Sequence, residues 1–190
     1  MKLNYTTKDI VTVVVIAVIS GLIGAGWGYV FNIVSAIPTI GGILGAAINF
    51  VWFVAPLVAF YLIRKPGVAA ATQLLAGVVA VLAGHPAGVI AYGWYVLEAI
   101  GAEAGFAIFG YKRWDVVALS VAGLLQGINF AWSLFYFSIY NFGVNAWLWP
   151  WLFTFLTAWV AGPIALAIGK ALGRTGLYAM DARAQSSTGQ

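Results

Sequence analysis

Apolar residues fall in six long runs separated by short breaks that are polar or rich in proline and glycine. The breaks are residues 35–42 with Pro38 and a glycine pair, Arg64-Lys65-Pro66-Gly67, Gly84-His85-Pro86, residues 111–115, and Asn141-Phe142-Gly143. About 20 consecutive apolar residues cross a bilayer as a helix, and Pro/Gly clusters end such helices. The pattern predicts an all-α integral membrane protein with six transmembrane helices. They lie near 9–33, 42–63, 68–84, 88–110, 116–140 and 146–172, in a single domain over 1–190 that closes with a polar tail at 173–190. Lys2 and Lys8 precede the first run as they would in a signal peptide, but no Ala-x-Ala site follows it. It is therefore expected to stay as the first helix.

Composition supports this picture. The 190 residues are 63% hydrophobic and 7% charged, where soluble domains carry about 25% charge. Disorder is excluded by the low charge and the 16% aromatic content. With no cysteine, disulfides, thiolate metal sites and cysteine nucleophiles are excluded. The nine basic residues suggest nucleic acid only until they are placed on the chain. They are Lys2 and Lys8, then Arg64 and Lys65, then Lys112 and Arg113, then Lys170, Arg174 and Arg183. Every cluster falls on the same side of a six-span topology, and the positive-inside rule puts both termini in the cytoplasm.

Three of the five acids, Asp9, Asp115 and Asp181, sit beside basic residues at that face. Glu98 and Glu103 lie inside the fourth span, and the spans hold no Lys or Arg to pair with them apart from Lys170 at the very end of the sixth, on the cytoplasmic side. An intramembrane acid costs at least ~2.5–3.5 kcal/mol and is a functional candidate by default. Two states remain for each: a protonated, hydrogen-bonded structural residue, or a carboxylate whose partner is a cationic or amino-bearing ligand. At about 100° per residue the two are about 140° apart. Tyr92, Tyr95, Ala99, Ala102 and Phe106 fall in the sector between them, so both acids are expected to flank one aromatic-lined cavity. Depth counting puts Asn49, Trp52, Gln73, Gln126 and Asn129 near the level of Glu98. Gln126, Asn129, Ser133, Tyr136 and Tyr140 form one polar stripe flanked by Trp132. Trp27, Trp114, Trp147, Trp149 and Trp151 suit an interfacial belt. Trp52, Trp94, Trp132 and Trp159 lie deeper and suit stacking on a cationic ring. The candidate binding set is Glu98, Glu103, Trp52, Gln73, Trp94, Tyr92, Asn129 and Trp132. His85 either lines the outer mouth or caps a helix end.

The first span carries small residues in two rows, Ala17, Gly21, Ala25 and Ser20, Gly24, Gly28. Such rows serve packing inside a bundle or docking of a partner subunit, and the first row is the docking candidate. The sequence contains no phosphate-binding Gly-rich loop with its Lys, no metal-ligand cluster and no nucleophile–base set. Neither an enzyme nor a bound cofactor is expected, and ATP hydrolysis would have to come from other subunits.

Three segments carry a family resemblance: Trp52-Phe53 leading to Tyr61-Leu62-Ile63-Arg64-Lys65-Pro66-Gly67, then Gly84-His85-Pro86-Ala87-Gly88, then Gly101-Ala102-Glu103-Ala104. With the six short spans and the small-residue row, they resemble an S-component, the substrate-capture subunit of energy-coupling factor (ECF) transporters. The branch they look like takes up thiamine or its hydroxymethylpyrimidine moiety. Glu103 and Trp52 match that branch as they stand. It often carries Glu where this chain has Gln73, and Gln where this chain has Glu98. The resemblance implies a prokaryotic cell membrane, a transmembrane coupling (T) subunit and two cytoplasmic ATPase subunits as partners, and a thiamine-like ligand captured from outside. A carboxylate can accept hydrogen bonds from an aminopyrimidine, and desolvated indole faces attract a cationic ring by ~2 kcal/mol. A proton-coupled carrier using both acids as relays, and a non-transporting assembly subunit, are the alternatives.

Overall fold

The computed structural model describes residues 4–129, 132–133 and 144–175, with side chains from residue 152 onward in the last stretch. Tyr136, Tyr140, Asp181, Arg183, most of the polar tail and the side chains of Trp147, Trp149 and Trp151 lie outside the described residues.

Among the described residues, seven α-helices fall on the six predicted stretches, overrunning their outer ends by two residues at most, and there is no strand. They are α1 (Thr7–Ser35), α2 (Gly41–Ile48), α3 (Phe50–Ile63), α4 (Val68–Leu82), α5 (Ala91–Ile108), α6 (Val116–Gln126) and α7 (Val144–Gly173). Among the described residues, three stretches are long and apolar enough to cross a membrane: Thr7–Ser35, Gly41–Ile63 and Leu152–Gly173. Val68–Leu82 and Val116–Asn129 are shorter apolar helices. α1 starts with a capping box: the Thr6 backbone N–H donates to Asp9 Oδ2 at 2.7 Å, and the Asp9 N–H donates to Thr6 Oγ1 at 3.2 Å. α6 is capped by Asp115, which accepts from the Ala118 N–H at 3.0 Å.

Two predicted spans are not single helices. The stretch 42–63 breaks at Asn49, whose Nδ2 donates to Thr154 Oγ1 of α7 at 3.0 Å. The Thr157 hydroxyl takes the Ala46 carbonyl at 3.0 Å. Side chains of α7 thus satisfy polar groups at the break, the condition for non-helical backbone at membrane depth. The stretch predicted as 116–140 is α-helical to Gln126 and tightens to a 3-10 turn over Gly127–Asn129.

Small residues set how closely the helices approach. Ala17, Gly21 and Ala25 are buried. A Cβ on Gly21 would meet the Ala76 carbonyl and the Val79 side chain of α4 at 2.6 Å. The row therefore joins α1 to α4 inside the bundle, which corrects the expectation that it is a docking surface for a partner subunit. The face that α1 leaves exposed is branched and bulky, with Ile19, Leu22, Ile23 and Ile33. The main core gathers Phe53, Leu57, Phe60, Phe106 and Leu119 with Ala122, Ala158, Ala161 and Ala165. Phe60 of α3 stacks on Phe106 of α5 with ring centroids 3.6 Å apart.

Candidate functional site

Glu98 projects from α5 into the bundle and is 4% exposed. Its two oxygens have different donors. Gln73 of α4 donates from Nε2 to Glu98 Oε2 at 2.5 Å, and Asn129, at the end of the 3-10 turn after α6, donates from Nδ2 to Oε1 at 2.8 Å. Gln73 Nε2 also donates to the Trp52 carbonyl of α3 at 3.1 Å. Four elements thus converge on one carboxylate whose hydrogen-bond partners are both neutral amides. Each oxygen accepts an N–H, an arrangement that suits a carboxylate.

Polar groups beside this carboxylate keep spare hydrogen-bonding capacity. The Trp52 indole nitrogen and the Tyr95 hydroxyl lie against each other, and Asn129 Oδ1 and Gln126 Oε1 are buried without a hydrogen bond. Such groups cost about 1–3 kcal/mol each when left unmade, and native proteins keep few of them. Gly24 of α1 makes the space for the indole and the phenol: a Cβ there would run into the Tyr95 hydroxyl and the Trp52 indole nitrogen. The Trp52 ring meets Phe31 edge-on, with centroids 5.8 Å apart. The arrangement offers one carboxyl group, an indole–phenol pair and two free amide carbonyls. That suits an organic ligand with positive charge and N–H groups.

Four of the expected binding residues come together here: Trp52, Gln73, Glu98 and Asn129. Tyr92, Trp94 and Trp132 are placed in the packing beside them. Tyr92 lies against Gly77. The Trp94 indole donates to Ser133 Oγ at 2.7 Å and the Trp132 indole to the Ile90 carbonyl at 3.0 Å. The Trp132 ring lies directly on Gly93. These two tryptophans fasten residues 132–133 to the start of α5. Trp159 is exposed on α7 and is not a deep stacking residue. His85 accepts the Ala87 N–H at Nδ1 (3.2 Å), a contact within the loop rather than a helix cap, and burial lowers its pKa. Tyr95 joins the site, marked in the sequence by helix phase, while Gln126, marked by depth, is fastened to the Phe53 carbonyl.

Glu103 has a different place. Its carboxylate accepts the Gly67 N–H at 2.5 Å and the Ala70 N–H at 3.1 Å. These belong to the N-cap and the first turn of α4. Gly67 has no side chain to cap that helix, so Glu103 supplies the missing acceptor from α5 and also sits at the positive end of the helix dipole. The expectation that both acids flank one cavity is therefore corrected, because the backbone of α4 holds the second one. Around it, Tyr5 Oη donates to the Pro66 carbonyl, and Lys65 Nζ pairs with Asp9 at 2.6 Å and donates to the Asn4 carbonyl at 2.9 Å. The Tyr111 hydroxyl is pushed up to about 12, by burial first and the Glu103 carboxylate next. A groove of about 430 Å³ between α4 and α5 is walled by Ala70, Leu74, Val96, Ile100 and Glu103. It is apolar and contains none of the amides that hold Glu98.

Among the described residues, no three His, Cys, Asp or Glu side chains converge as metal ligands. One carboxylate with amides, an indole and a phenol is a poor donor set for a transition-metal ion.

Apolar helices surround an amide-held carboxylate, and comparison with known proteins places the chain among membrane transport components. The chain belongs to the family described as the permease component of ABC-type cobalt transport systems, whose model matches residues 8–129. Its fold is that of an S-component of an ECF transporter. A crystal structure of one superposes with a TM-score of 0.85, covering 98% of this chain and 99% of the other at 23% identity. YkoE of Bacillus subtilis (strain 168), named as an HMP/thiamine permease protein, is 28% identical over 133 residues. That match takes in 70% of this chain and 66% of YkoE.

Proposed function

We propose that this protein is the substrate-capture subunit of an ECF-type importer and binds thiamine or its hydroxymethylpyrimidine moiety from outside the cell. The observation that carries this reading is the buried Glu98 carboxylate, held by Gln73 and Asn129, with the Tyr95 hydroxyl in its field and the Asn129 amide oxygen left without a partner. An aminopyrimidine carries an N–H₂ donor for the carboxylate and ring nitrogens for the indole and phenol donors. The cationic thiazolium supplies the charge that the protein does not. The name of YkoE supports the ligand class, and the S-component fold supports the subunit's role.

In this reading the chain crosses a bacterial or archaeal cell membrane six times with both ends in the cytoplasm. It needs no cofactor and catalyses no reaction. A transmembrane coupling subunit and two ATPase subunits complete the transporter. Calorimetry and tryptophan quenching on the detergent-solubilised protein test this, with thiamine and hydroxymethylpyrimidine as titrants. Saturable binding that Glu98→Gln weakens at least about tenfold is expected, the cost of a charge-assisted hydrogen bond. Absence of heat and quenching with both compounds would refute the proposal.

A further inference from the structure

Pro56 lies inside α3 and is fully buried. Proline has no N–H, so the carbonyl four residues before it loses its helical donor. Here that carbonyl belongs to Trp52, and it accepts instead from Gln73 Nε2 at 3.1 Å. The next carbonyl, of Phe53, accepts from Gln126 Nε2 at 3.1 Å. Amide side chains from α4 and α6 are thus hung on the backbone of α3 one turn before the proline.

This decides which way Gln73 faces. Its amide nitrogen has two hydrogens. One goes to the Trp52 carbonyl and the other to Glu98 Oε2 at 2.5 Å. Turning the amide over would set its oxygen against a carbonyl and a carboxylate together, acceptor against acceptor. A glutamine beside a carboxyl group has two choices: donating to a carboxylate, or accepting from a carboxylic acid. The open Trp52 carbonyl removes the second.

We propose that Pro56 is a positioning residue for ligand recognition. By leaving the Trp52 carbonyl open, it holds Gln73 as a donor to Glu98, so that the site favours a ligand bringing positive charge to the carboxylate. This rests on the reading of the Glu98 cluster as the ligand site. Pro56→Ala and Pro56→Gly both return an N–H to position 56 to compete for the Trp52 carbonyl.

The test is a double-mutant cycle of Pro56→Ala and Gln73→Leu, read as thiamine affinity by calorimetry, with Pro56→Gly as a second single variant. Each single substitution is expected to lose about tenfold in affinity. Pro56→Ala in the Gln73→Leu background is expected to lose nothing further, since both act through one contact. The preference for thiamine over hydroxymethylpyrimidine, which lacks the cationic ring, narrows in the proline variants. The melting temperature of Pro56→Ala stays level or rises, because a helical hydrogen bond is regained. Wild-type affinity in both proline variants, or losses that multiply in the double variant, would overturn the positioning role. A wild-type protein that binds neither compound would instead refute the site reading, and this inference with it.

Discussion

Glu103→Ala separates the two acids most sharply. The substitution strips the N-terminus of α4 of the acceptor for its Gly67 and Ala70 N–H groups. Loss of an N-cap acceptor costs about 0.5–2 kcal/mol. Loss of the negative charge at the positive end of the helix adds ~0.3–1 kcal/mol. The expected destabilisation is thus about 1–3 kcal/mol. For a chain of this size, 1 kcal/mol lowers the melting temperature by about 2–4 °C, so a fall of roughly 2–12 °C is expected. Glu103→Gln keeps one oxygen and loses the charge, and should fall between wild type and alanine. Neither variant reaches the Glu98 cluster, so thiamine affinity below the melting transition should stay within about twofold of wild type, as expected for independent sites. Thermal unfolding in detergent and calorimetry at a fixed low temperature read the two quantities separately. An unchanged melting temperature with thiamine binding lost would refute the cap and return Glu103 to the ligand site.

Glu98→Leu abolishes thiamine binding while changing the melting temperature by only a few degrees, because removing an isolated buried charge offsets the loss of two amide acceptors. A collapse of the fold in that variant would make Glu98 a structural residue. Gly21→Leu drives a side chain into Ala76 and Val79 of α4; the cost of overpacking, about 1–3 kcal/mol, should appear as a lower melting temperature, and a neutral result would contradict the α1–α4 contact. The Asp115 carboxyl is held below its ordinary range by the Ala118 N–H and then by Arg113. Its folded pKa is lowered, so its capping contribution is present above the unfolded value near 4 and fades as pH falls through the folded value. Asp115→Ala should therefore lower stability at pH 7, and the gap to wild type should shrink under acid. A gap independent of pH would refute the linkage.

Much of this protein is legible in the order of its residues. The membrane class follows from apolar run length, and the expected orientation follows from where nine basic residues fall. Glu98 stands out because no cation shares its depth, and Gln73 and Asn129 were found by counting helix rise, since polar side chains at one level of a bilayer have few other partners. The role of Glu103 was not legible. Its partners are backbone N–H groups of residues 67 and 70, and every residue but proline carries that group, so it leaves no mark on composition or spacing. The motifs around Pro66-Gly67 and Glu103 match the same family together, yet only the packing of α5 beside α4 shows that one caps the other. The same holds for Ala17, Gly21 and Ala25. Sequence determines that this row permits a close neighbour. The tertiary structure decides that the neighbour is α4, because contact between helices depends on which faces meet, and helical periodicity fixes the face without naming its partner.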